Sequence, residues 1–301
     1  MKAVWSFWTK PYNASRQLRW HSELHHWLAW GLSVYAARQH YPETSLITDD
    51  QGARILVDSL QLPFAHVSTA LNALADQDPG WWCLGKLEAY RLQQTPFLHL
   101  DADVFLWKPL APEVTQADVF TQNPVPILPG VTPYRPEEFE RAIGRPANGW
   151  LPKEWVWYRR TANQHANCCG VFGGGRIDFI NDYASAVLRL VADPANRESV
   201  QNLRGKEAHM FLIEEYTLTA WVEYHHQRKG SPYGGIEIRH VFPTLEDAYR
   251  SERTTEAGFT HLAGRAKRNP ELARDLEARV QHDLPDFYER CTNHFQSLSR
   301  A

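Results

Sequence analysis

Short apolar runs alternate with stretches of helical periodicity over roughly the first 120 residues, and this alternation constrains the fold more than any other feature of the chain. Residues 2–8 are nearly all apolar, as in a strand buried on both faces. Residues 9–13 read as a loop, and 22–40 carry Leu24, Trp27, Leu28, Leu32, Tyr35 and Ala36 at helical spacing. Residues 44–48 predict a strand ending in Asp49 and Asp50, 52–60 a helix, 64–67 a strand, and 85–94 a helix feeding a strand that ends at Asp101. Such a pattern implies an α/β fold with a mainly parallel sheet and right-handed crossovers. Residues 118–122 predict a further strand, and then Pro124, Pro126, Pro129, Pro133, Pro136, Pro146 and Pro152 crowd a segment expected to exclude regular helix and central strand. The chain is expected to re-enter the core at 169–173. Helices are predicted at 177–192 and 207–226, strands at 236–241 and 258–261, and one charged surface helix over 271–295.

The run PFLHL at 96–100 ends in Asp101, Ala102 and Asp103. Two carboxylates one residue apart, where a strand leaves the sheet, point the same way and can share one hard cation such as Mg²⁺ or Mn²⁺. Open α/β sheets place ligands in the crevice outside the carboxyl ends of their strands. The motif alone has a plainer reading, two surface acids at a strand end. Downstream, residues 258–261 deliver His261, followed by Gly264 and Lys267. Imidazole suits Mn²⁺ beside carboxylates, and Lys offers a compact charge for a phosphate oxygen. Together these residues predict a site for a metal-diphosphate.

These motifs resemble those of GT-A-fold, metal-dependent glycosyltransferases of the glycogenin and lipooligosaccharide galactosyltransferase type. That family carries DxD after an apolar strand and a late HxxGxxK, and Asp101, Asp103, His261, Gly264 and Lys267 match residue by residue. The resemblance implies a Rossmann-like GT-A fold in which Asp101, Asp103 and His261 hold Mn²⁺ (or Mg²⁺) on the diphosphate of a nucleotide-sugar donor. It implies that Lys267 touches that diphosphate, and that Lys86 is the cation on the helix before the DxD strand. The implied reaction moves a sugar, from a UDP-sugar donor, to a hydroxyl of a glycan, lipid-linked or small-molecule acceptor. On this reading 1–301 is a single domain: a nucleotide-sugar-binding half at 1–123, a proline- and aromatic-rich acceptor-side insertion at 124–166, and an acceptor-side half with a C-terminal helix at 167–301. Gly170 and Gly173 lie in a stretch similar to the family's strand near the sugar. Glu214 and Glu215 stand where the family has Asp-Gln, and Arg268 and Asn269 replace its Pro-Trp.

Other candidates have competing explanations. Tyr12 and Asn13, after the first strand, are placed to contact a base, as the family's first loop does. Asp49 serves either a ribose or base contact or a helix N-cap ahead of Gly52. Lys86 lies in the first turn of a helix, where backbone N–H groups already favour an anion; a solvated surface Lys is the alternative. Gly173, Gly174 and Gly175 allow a close approach of a ligand, or a strand-to-helix turn. Glu214 and Glu215 diverge by about 100° on a helix, so at most one is expected to face the core pocket, its partner being solvated. Glu215 is preferred, as a general base, as a stabiliser of charge on the sugar carbon, or as a partner for acceptor hydroxyls. The pairs around His25 and His225 read as surface or core histidines rather than ligands.

The net charge of −3 supplies no basic field for nucleic acid or anionic lipid. The 12 Trp, 12 Tyr and 13 Phe serve core packing first and sugar platforms second. Trp150, Trp155, Trp157 and Tyr158 mark either an acceptor lid or a packed loop. Four cysteines without metal spacing read as free thiols in a reducing compartment. The start is too short and polar for a signal peptide and no run of about 18 apolar residues occurs, so no membrane span and a cytoplasmic location are expected. Two rivals remain. Haloacid-dehalogenase phosphatases also use Asp-x-Asp after an apolar strand, but usually at the chain start and with a later acidic pair that is not found after residue 110. A catalytically degenerate nucleotide-sugar-binding or interaction domain draws support from the Glu-Glu departure.

Overall fold

The computed structural model describes residues 1–15, 19–128, 130–144 and 149–298; Pro129 and Pro146 of the proline-rich segment lie outside the described residues. Seven strands form the main sheet: β1 (Lys2–Phe7), β2 (Thr44–Thr48), β3 (His66–Ser68), β4 (Phe97–Leu100), β6 (Val119–Pro126), β7 (His165–Gly174) and β8 (Ile238–His240). A separate two-stranded ribbon joins β5 (Val104–Leu106) to β9 (Phe259–His261). The order is β3-β2-β1-β4-β7-β6-β8. Pairings are parallel except for β7, which runs antiparallel to both β4 and β6. The expected α/β fold with a mainly parallel sheet is therefore the one observed.

Strand alternation divides the core in two. Trp5, Leu98 and Leu100 pack on one face with Trp27, Leu28 and Phe287. Val4 and Phe97 pack on the other with Leu87, Phe172 and Phe179. The helix Glu23–Arg38 covers the first face, and Leu84–Arg91 with Ile177–Ala192 the second. Because β2 and β4 are buried along their whole length, their sequences show apolar runs without alternation.

Three local expectations are corrected. Residues 9–13 belong to a helix, Thr9–Ser15, whose first N–H is bonded by the Asp49 carboxylate at 2.8 Å. Asp49 lies far along the chain, so the sequence alone did not show that this helix end is satisfied. The proline-rich segment does form regular structure. β6 continues through Pro124 and Pro126, beyond the stretch Val119–Thr121 that pairs with β8, where it is an edge and needs no N–H. Pro136 opens the helix Pro136–Ile143, and Pro152 immediately precedes Lys153–Tyr158; neither position requires a hydrogen-bond donor. Finally, the C-terminal stretch is two helices, Pro270–Asp283 and Pro285–Leu298, because Pro285 cannot continue the first. All four cysteines are free, and no helix among the described residues is long and apolar enough to cross a membrane.

Candidate functional site

Backbone pairing brings the acidic doublet and the late histidine together. β4 ends at Leu100, and Asp101 N–H donates to the Gly170 carbonyl at 2.9 Å, tying the doublet to β7. A tight turn follows, with Val104 N–H bonding the Asp101 carbonyl at 3.0 Å. The β5–β9 ribbon then sets His261 opposite Val104, and Leu262 N–H bonds the Asp103 carbonyl at 3.0 Å. As a result, ligand atoms of Asp101, Asp103 and His261 lie within 4.8 Å of one another, the one such cluster of three or more metal-capable groups among the described residues.

His261 is oriented from behind. Its Nδ1 lies 2.7 Å from the Gln122 amide oxygen, which can only accept, so Nδ1 carries the proton. The Nε2 lone pair is left facing the acids, 3.5 Å from Asp103 Oδ2. Gly170 makes room for this pair: a Cβ there would meet His261 Cε1 at 2.6 Å and Gln122 Oε1 at 2.7 Å. Gly264 adopts φ +54, a left-handed conformation that turns the chain out of β9 into a short 3₁₀ segment, Gly264–Arg268. Lys267, carried on that segment, reaches Asp103 Oδ2 at 2.5 Å. Burial opposes ionisation of Asp103, but the Lys267 ammonium outweighs it and holds the carboxyl far below the usual range. Burial instead raises Asp101, with Asp103 adding to the rise against the pull of Lys86.

Lys86 is not a solvated surface lysine. It is 6 % exposed, and its ammonium contacts Asp101 Oδ1 at 3.0 Å, Glu214 Oε1 at 3.0 Å and the Cys169 carbonyl at 2.9 Å. An ammonium has three N–H donors, so all are engaged. Burial works against its charge, yet Asp101 and Glu214 raise its pKa well above that of an ordinary lysine.

Glu214 and Glu215 are both buried, at 1 % and 6 % exposure, which corrects the expectation that one would be solvated. The expected helix over 207–226 is interrupted by a π turn at Leu212–Tyr216, between Lys206–Phe211 and Thr217–Gln227. The wider turn places both carboxylates inward. Glu214 accepts from the Tyr90 hydroxyl at 2.8 Å and pairs with Lys86. Glu215 takes the Tyr134 hydroxyl at 2.5 Å and Cys169 N–H at 3.2 Å. Burial, reinforced by Glu214, pushes the Glu215 carboxyl up to about 8.

Beside the cluster lies a cleft of about 210 Å³, lined among others by Trp8, Tyr12, Arg19, Trp20, Trp82 and Lys267. Tyr12 stacks on His26 at 5.1 Å between ring centres. Burial, with Lys267 and Arg19 nearby, pushes His26 down to about 3. The Arg19 guanidinium sits 5.4 Å from the Trp82 ring centre, and Lys267 Nζ 5.5 Å from that of Trp20.

Several other candidates are placed elsewhere. Asn13 pairs with Gln51 at 2.9 Å and is not part of the cleft lining. Asp49 is the N-cap: one carboxylate oxygen takes Gly52 N–H, the other Thr9 N–H and hydroxyl, each at 2.8 Å. Gly173 does allow a close backbone approach, but to the neighbouring strand. A Cβ there would meet the Phe97 carbonyl oxygen at 2.0 Å. Trp155 and Tyr158 are core residues, with Trp155 4.7 Å from Tyr216, so the packed-loop reading holds for them. Sequence reasoning missed Gln122, Tyr134, Arg19 and Trp20. Gln122 ends the strand predicted at 118–122, a position the β-strand pattern did reach; the others carry no local signal.

A family model described as a family of unknown function (DUF6734) matches residues 1–294. No curated protein matches the sequence. Among solved structures, the glycosyltransferase GlyE of Streptococcus pneumoniae TIGR4 is similar at 10% identity and a TM-score of 0.40, over 98% of this chain and 63% of that one. This chain thus spans less than two thirds of that protein's length. The galactosyltransferase LgtC, solved in complex with donor and acceptor sugar analogs, is similar at 11% identity and a TM-score of 0.41, over 91% of this chain and 96% of that one. Mouse xyloside xylosyltransferase 1 is similar at 12% identity and a TM-score of 0.31, over 71% and 81%.

Proposed function

The chain belongs to the DUF6734 family, whose function is unknown, and for this member we propose metal-assisted transfer of a sugar from a nucleoside-diphosphate donor, a UDP-sugar, to an acceptor hydroxyl. The observation that carries this reading is the meeting of Asp101, Asp103 and His261 within 4.8 Å, beside an aromatic-lined cleft that also holds Lys267. Two carboxylates and an imidazole whose Nε2 faces them make a donor set that suits Mn²⁺ or Mg²⁺. A bound divalent ion would neutralise charge growing on the departing diphosphate.

In the proposed reaction the bond from the anomeric carbon to the diphosphate oxygen breaks, its electron pair leaving with the diphosphate. The acceptor oxygen bonds to that carbon and loses its proton. Lys267 is positioned to leave Asp103 for a phosphate oxygen. Tyr12 and the tryptophans of the cleft hold the nucleotide and keep water from it. Glu215, with its pKa raised to about 8, is a neutral acid near pH 7 and serves as a hydrogen-bond partner for sugar hydroxyls. Glu214 keeps Lys86 charged beside the ligand Asp101. The acceptor is a glycan, a lipid-linked glycan or a small molecule, and the reaction is placed in the cytoplasm.

Incubation with Mn²⁺ and a panel of nucleotide sugars, following nucleoside diphosphate release with and without added acceptors, tests this proposal. Release of UDP from one donor, accelerated by an acceptor, is expected. Phosphate release from phosphate esters without diphosphate release would replace it with a phosphatase. Binding of Mn²⁺ and UDP with no turnover of any donor would leave a degenerate binding domain.

A further inference from the structure

We propose that Arg19, together with Lys267, contacts the donor diphosphate, and that Lys86 is instead a positioning residue that holds the ligand Asp101. The inference rests on the transferase reading above and departs from the role that resemblance assigns to Lys86. Each N–H of the Lys86 ammonium already has an acceptor, on Asp101, Glu214 and the Cys169 carbonyl, at 2.9 to 3.0 Å. These acceptors come from three separate parts of the chain. Turning one N–H toward a ligand would break one of these three bonds to a buried ammonium, which offsets the bond gained. Lys86 is thus built to fix the orientation of Asp101 and to tie it to Glu214.

Arg19 and Lys86 both approach Trp82, Lys86 Nζ at 6.0 Å from its ring centre. Arg19 lines the cleft with Asp101, Asp103, Lys86 and Lys267. Its guanidinium lies against Trp82 at 5.4 Å and Lys267 against Trp20 at 5.5 Å, so each cation rests on an aromatic wall of one cleft. Both cations also help depress the pKa of His26, whose surroundings include Asp103, so they act on one region. A planar guanidinium presents paired N–H groups that match two phosphate oxygens.

The test separates metal binding from phosphate binding. Mn²⁺ affinity is read by electron paramagnetic resonance. UDP and uridine affinities are read by calorimetry in saturating Mn²⁺, for wild type, Arg19→Gln, Arg19→Lys and Lys86→Arg. Arg19→Gln should keep Mn²⁺ and uridine binding, and lose at least about tenfold in UDP affinity. Arg19→Lys should recover part of that loss. Lys86→Arg should weaken Mn²⁺ binding first, because a planar fork cannot serve three acceptors arranged around an ammonium. UDP binding by Arg19→Gln within about twofold of wild type overturns the assignment, as does a Lys86→Arg variant that loses UDP but keeps Mn²⁺. If wild type binds Mn²⁺ but no nucleoside diphosphate, the transferase reading itself fails, and this inference with it.

Discussion

Glu215 is bonded by the Tyr134 hydroxyl and Cys169 N–H, and its carboxyl is pushed from 4.5 up to about 8 by burial and by Glu214. Between those values the folded protein keeps a proton that the unfolded chain has lost. A raised carboxyl therefore contributes stability that is full below the unfolded pKa and disappears as pH rises through the folded one. Glu214 is raised in the same direction, chiefly by burial, with Asp101 adding to the rise against the pull of Lys86. The metal-free protein should lose about 1.4 kcal/mol of stability per pH unit across this window from Glu215 alone. Urea unfolding at several pH values checks this: Glu215→Gln should flatten the profile, and an unchanged slope in that variant would contradict the account. At this scale a local motif singled out Asp101, Asp103, His261 and Lys267, which the fold brings together. Lys86 was located but not understood, since its three acceptors belong to distant segments. Tyr134 and Arg19 come near these residues only through tertiary placement, which no local pattern records.

The β5–β9 ribbon and β7 are the elements that shape the site. Gly170 in β7 faces His261 and Gln122 so closely that any side chain must displace one of them. Gly170→Ala should cost about 1–3 kcal/mol in stability by overpacking. It should also lower Mn²⁺ affinity by an order of magnitude or more, because His261 loses the bond that fixes its tautomer. Thermal unfolding and a Mn²⁺ titration of the same variant measure both effects, and an unaltered Mn²⁺ affinity would show that Gly170 does not support His261. Elements set by local periodicity were readable: β1, β2, β4 and the helices Glu23–Arg38 and Ile177–Ala192 fall where apolar spacing put them. The proline-rich segment was misread because Pro136 opens a helix and Pro124 and Pro126 lie where β6 is an edge, facts about neighbours rather than about proline. The π turn at Leu212–Tyr216 escaped because one extra residue per turn barely disturbs an apolar helical pattern.

Over the whole molecule, the sheet order places β4 beside β7, and the separate ribbon folds the late strand β9 back onto the turn after β4. About 160 residues of chain separate the acidic doublet from His261, yet backbone pairing alone fixes their approach. Mainly parallel topology followed from the alternation of strands and helices. The antiparallel insertion of β7 between β4 and β6 did not, because partner choice among similar apolar strands leaves no mark in either strand. The most direct test of the account is Mn²⁺-dependent UDP binding, measured by calorimetry on wild type, Asp103→Asn and His261→Ala. One UDP bound per chain only with Mn²⁺, and loss of that dependence in each variant with the fold intact, is the predicted result. Wild-type Mn²⁺–UDP affinity in His261→Ala would contradict a shared metal site.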